Sequence, residues 1–240
     1  MNSAPSRTRR AITALGLDDP RLRGLLILLW ATTAAYVALH LTRRFFGVPW
    51  SPNFDLGTER GYGEVFFQML IGWSIVLLVV VAVRTRAWIM LLWAVFALYL
   101  LADDYFTVHE RIGTWFAQTV LYVGPLSTHI GEALWLLTIG VLLIVSVAIA
   151  FRFSTTEARR TTLTVGALFG ALALFGVGVD ILHSPFIDLP IVDPLFIALE
   201  DGGEIAVMSL LVTYLVSLAF PRDALTIGGT PTAAPAKPTR

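Results

Sequence analysis

Six stretches of about twenty apolar residues leave this chain few ways to fold. They run at about 25–42, 64–83, 87–106, 131–151, 162–182 and 203–220, and each is close to the roughly 20 residues a helix needs to cross a bilayer. Within hydrocarbon the backbone must satisfy its own hydrogen bonds, which a helix does and a loop does not. The 240 residues are 56% hydrophobic and 14% charged, with a mean hydropathy of +0.75. That is more apolar surface than a soluble domain needs, so the excess faces lipid. The expected class is an all-α polytopic membrane protein of six transmembrane helices arranged as three successive hairpins.

The third stretch is the tightest. Sixteen residues separate Arg86 from Asp103, about 24 Å of helix. A full crossing therefore carries Asp103 and Asp104 with it and continues through Tyr105 and Phe106. Arginine sets the orientation. Arg7, Arg9, Arg10, Arg21, Arg23, Arg84, Arg86, Arg152, Arg159, Arg160 and Arg222 cluster at one set of ends, while the other set has only Arg43, Arg44, Arg60 and Arg111. The positive-inside rule then puts both termini in the cytoplasm of a bacterial inner membrane. Residues 1–23 and 222–240 read as disordered cytoplasmic ends around a transmembrane domain at 24–221. The first span lacks a small-x-small cleavage site and reads as uncleaved.

Two outer connections are too apolar for free loops. "IGTWFAQTVLYVGPLST" and "FIDLPIVDPLFIAL" fit short helices in the interface or against the bundle, with Pro125, Pro185, Pro190 and Pro194 as breakers. The even-numbered spans open alike, at "GYGEVFF", "HIGEALW" and "DGGEIAV", placing Glu64, Glu132 and Glu204 68 and 72 residues apart. The odd-numbered spans end near His40, near Asp103 and Asp104, and near Asp180 and His183.

Acids and histidines thus gather at the outer ends. Net charge is zero, which gives no support for a nucleic-acid partner, and no nucleotide cofactor is indicated. The absence of cysteine excludes thiolate metal sites, leaving His, Asp and Glu as ligands. Spacing narrows the candidates. Asp103 and Glu110 are seven apart, as are Asp104 and Arg111, so on one continuous helix each pair shares a face and Arg111 neutralises Asp104. His129 with Glu132 and Asp180 with His183 are three apart, and Glu200 and Glu204 four, so each pair can address one centre. The metal ligands expected are Asp103, Glu110, His129, Glu132, Asp180, His183 and Glu204, with His109 and Glu132 as acid–base residues. His40, beside Arg43, reads as interfacial.

Asp180-x-x-His183, and His129-x-x-Glu132 in reverse, resemble the Glu-x-x-His pair of ferritin-like di-iron bundles. That likeness implies a carboxylate- and histidine-held divalent metal. His109, His129, His183, Asp180 and Ser184 are similar in type to the residues of membrane zinc hydrolases related to alkaline ceramidases, whose His-x-x-x-His pair is absent here. The "DD…HE", "GE" and "EDGGE" elements also resemble a loosely defined set of uncharacterised bacterial integral membrane proteins, which transfers no activity. Mixed His and carboxylate donors suit Fe, Zn or Mn. The reading favoured is a metal-dependent enzyme acting at the outer bilayer edge on an apolar or lipid-like substrate. The alternatives are a cation or proton pathway with an outer acidic vestibule, or a structural or sensory protein.

Overall fold

The computed structural model describes Thr13, residues 15–121 and residues 126–220. Pro125, residues 222–240 and, of residues 1–23, all but Thr13 and 15–23 lie outside the described residues. No strand is present among the described residues. The chain is all-α, with seven helices: α1 (Pro20–Phe46), α2 (Tyr62–Thr85), α3 (Ile89–Phe106), α4 (Val108–Thr119), α5 (Leu126–Arg152), α6 (Thr156–His183) and α7 (Val192–Ala219). All but α4 are long and apolar enough to cross a membrane.

Local chemistry sets the boundaries. α1 begins at Pro20, earlier than its apolar run, because Asp19 accepts from the Arg21 amide at 2.9 Å and Pro20 needs no hydrogen bond in the first turn. α3 carries Asp103 and Asp104 in its last turns and stops at Thr107, whose φ of 49° is left-handed. α4 follows as the short helix expected in that connection. The other one holds only a single 3-10 turn, Ser184–Phe186, before the next span. Pro194 lies in the first turn of α7, where its missing N–H costs nothing. α7 therefore starts at Val192 and not at 203, and "EDGGE" lies well inside it.

The spans pack around α7 as the hub. It packs against α1, α2 and α6, and inserts between α1 and α2. Its apolar window is 56% buried, against 0% for that of α5. Two adjacent glycines make the insertion fit. A Cβ on Gly202 would lie 2.8 Å from Val37 of α1, and one on Gly203 would lie 2.3 Å from the Phe175 ring of α6. Leu78, Met90, Met208, Leu211 and Leu215 are fully buried in the half of the bundle toward the arginine-rich end, and Leu70 and Ile71 are buried above them.

α5 stands apart. It packs on α4 and on α3, but α6 lies across an open seam. α6 itself changes pitch, with Leu174–Val179 wound as a π-helix just before Asp180. Such turns are rare and concentrate at functional sites.

Candidate metal and acid site

Thr107 decides the geometry near the end of α3. Its left-handed turn folds α4 back, so Asp103 meets His109 at both the backbone amide (3.1 Å) and Nδ1 (2.8 Å). The Tyr99 hydroxyl donates to the same carboxylate at 3.1 Å, and Asp103 is buried. The break also cancels the helical spacing across it. Glu110 is exposed on the outer face of α4 beside Arg111, Thr114 and Trp115, and does not join Asp103 in a ligand set. Asp104 accepts from Gln68 at 2.8 Å, and Gln68 also donates to Glu64 at 2.8 Å. The expected neutralisation of Asp104 by Arg111 is replaced by this amide bridge between α2 and α3.

His109 is half-buried. Its hydrogen bond to Asp103 is the main cause of a raised pKa, opposed by burial and helped by the negative fields of Asp103, Glu110 and Glu132. Glu132 lies across Gly113, where an added Cβ would come within 2.6 Å of its Cγ. The imidazolium is thus favoured in the folded state. The stability it adds is fully present below the ordinary histidine value of about 6.5 and fades as pH rises through the raised one. Asp103→Asn should move the imidazole titration, followed by NMR, to lower pH. An unchanged titration would mean that Asp103 does not hold the proton.

On the other side of α7 the acidic end is cross-linked by a chain of polar contacts. His40, expected at the interface, is instead fully buried. Its Nε2–H donates to the Pro194 carbonyl at 3.0 Å, and Nδ1 lies 2.9 Å from Asp55 Oδ1 and 3.1 Å from the Leu56 amide. Arg44 joins Asp55 (3.5 Å) to Asp193. Asp193 Oδ1 then lies 3.1 Å from His183 Nε2. The buried His183 ring stacks on Phe196 with centroids 5.2 Å apart, and its Nδ1 is 3.9 Å from Glu200 Oε2.

Asp180, His183 and Glu200 each bring a ligand atom within 4.8 Å of the others, the one such group among the described residues. Two of its members, Asp180 and His183, were expected from sequence. Glu200 takes the place given to Glu204, because α7 begins earlier and its faces are set accordingly. Asp55, Asp193 and Asp201 were also missed, the first two because their partners are far away in sequence. His129 lies in the first turn of α5, and its side chain is outside the described residues.

Glu204 is one turn beyond Glu200 and stands between two cavities. One, of about 190 Å³, is lined by Glu59, Glu64, Asp104, Asp201 and Glu204 together with backbone and apolar groups. The other, of about 370 Å³, is mostly apolar, and Asp103, Asp104, His109 and Glu204 form its polar wall. Gly176 in the π-helical turn gives Glu204 its room, since a Cβ there would fall 2.0 Å from Oε1.

The chain belongs to the family described as Domain of unknown function (DUF8692), whose profile matches residues 22–218. No curated protein and no solved structure matches it.

Proposed function

We propose that this member of the family is a metal-dependent membrane enzyme that acts on an apolar or lipid-like substrate at its acidic end. One observation carries the reading. His183 donates Nε2–H to Asp193, which Arg44 clamps, and so presents Nδ1 toward Glu200 and Asp180. A histidine fixed through its second nitrogen by a carboxylate is how metal-binding imidazoles are oriented. Two carboxylates and one imidazole suit Zn, Fe or Mn, and such an ion would supply Lewis acidity or an activated water. In the neighbouring apolar cavity, Asp103 holds His109 Nδ1, leaving Nε2 as the nitrogen for proton transfer. Glu132 adds negative potential there. The arginine distribution supports an orientation with this end outside the bacterial cytoplasmic membrane and both termini inside.

The test is metal content by mass spectrometry of purified protein after gentle extraction and metal add-back. Wild type and Glu110→Gln should carry near-stoichiometric metal. His183→Ala and Glu200→Gln should lose it, and Asp193→Asn should weaken affinity about 10–100-fold. Absence of metal from wild type sinks the reading. A cation or proton pathway is the second reading, favoured by the five acids around one cavity. The fully buried apolar plug toward the arginine-rich end supports binding over conduction.

A further inference from the structure

The two cavities beside Glu204 share one wall, made of Phe67, Asp104 and Glu204. On one side five carboxylates face a space of about 190 Å³ that no Lys, Arg or His lines. Asp201 and Glu204 are partly buried, and the surface they keep lines this space. Neither accepts a hydrogen bond or meets a base among the described residues. Unpartnered acids at this depth are relieved by a proton or by a cation, and the open space beside them has room for the second. A bare metal ion needs ligand atoms that converge, and these acids surround a volume without converging as Asp180, His183 and Glu200 do. A larger cation, paired around its circumference, fits them better, and the ring of Phe67 adds a π face at the boundary.

Across the shared wall the lining turns apolar, with Phe96, Leu100, Leu136, Ile139, Phe169 and Leu172. Its volume of about 370 Å³ holds roughly a dozen groups of water or methylene size at ~30 Å³ each. Leu136 and Ile139 come from α5, and Phe169 and Leu172 from α6, so this cavity lies on the seam where those helices do not pack. A chain can therefore enter sideways from lipid and its head can pass inward to the acids.

We propose that the paired cavities bind an amphiphilic cation, an alkylammonium whose charged head sits among Asp104, Asp201 and Glu204 and whose chain fills the apolar cavity. This names the substrate class of the enzyme proposed above and rests on that reading of the apolar cavity.

The experiment is calorimetric titration of the full chain in zwitterionic lipid nanodiscs, with empty nanodiscs as blank. Octyltrimethylammonium, octanol and octanoate are the probes. Saturable binding of the ammonium at least tenfold tighter than octanol, lost about tenfold in Glu204→Gln and Asp201→Asn while octanol is unaffected, is the expected result. Equal binding of octanol and the ammonium would overturn the cationic head and leave the apolar-substrate reading standing. Saturable binding of none of the three would overturn both. Ammonium binding that survives the double variant would overturn the assignment to these acids. Metal content, measured on the same samples, reports separately on His183 and its partners.

Discussion

Replacing His40 by Ala should lower the unfolding temperature by on the order of 10 °C, the largest effect expected of any single substitution away from the metal ligands. The ring is fully buried, with Nε2 against the Pro194 carbonyl and Nδ1 facing both Asp55 and the Leu56 amide, of which it can serve one in a given protonation state. Its removal leaves several buried polar groups short of partners, each costing about 1–3 kcal/mol. With the cavity left by the ring the total is about 3–5 kcal/mol, which for a chain of this size translates to the stated shift. Because Pro194 opens α7 and Asp55 lies in the connection after α1, the damage is a loosening of α7 against α1. Thermal unfolding in detergent, followed by far-ultraviolet circular dichroism, measures it. A shift below about 2 °C would show that the three groups find other partners or water.

The second large effect concerns Gly203. A Cβ there would lie within 2.3–2.6 Å of three atoms of the Phe175 ring, which is wedged between α6 and α7. Gly203→Val must push the two helices apart, and overpacking of this kind costs about 1–3 kcal/mol or more. Two other glycines set the scale. Gly72 and Gly170 have open space where a Cβ would go, so their alanine variants should gain about 0.5–1 kcal/mol through helix propensity. Gly176→Ala differs in kind. Its Cβ meets only the end of the Glu204 side chain, which can swing away, so folding should survive while the acid leaves its position between the cavities. If Gly203→Val melts with wild type, the close approach of α6 and α7 at Phe175 is not what the protein relies on.

What could be read from sequence, and what could not, divides along physical lines. The spans were legible because lipid demands long apolar runs, and even the short α3 was placed correctly with its two aspartates. The turn at Thr107 was not. It uses a left-handed Thr where no Gly or Pro marks a break, and without it the spacing from Asp103 to Glu110 looks helical. Pro194 misled in the opposite sense, since a proline in the first turn starts a helix as readily as it ends one. Once α7 was given too late a start, "EDGGE" looked like a helix opening. The three Gly-Glu pairs in fact sit at different depths, with Glu64 in the first turn of α2, Glu132 in the second of α5 and Glu204 in the fourth of α7. The two glycines of "EDGGE" serve as contact surfaces for Val37 and Phe175. His40 was misread because its partners are 15 and 154 residues away, a distance at which periodicity carries no information. Asp180 and His183 were found because their three-residue spacing is local and the helix runs through both.

The apolar plug formed by Leu78, Met90, Met208, Leu211 and Leu215 also has an electrical consequence. A membrane voltage falls mainly across the layer of lowest polarisability, and here that layer lies between the acid-lined cavities and the arginine-rich end. An ion traversing the whole field exchanges about 2.3 kcal/mol per charge for each 100 mV. One that stops at Glu204, about midway along α7, crosses only part of it. Occupancy of the acidic cavities should accordingly respond to voltage less steeply than passage of the same ion across the whole bundle would.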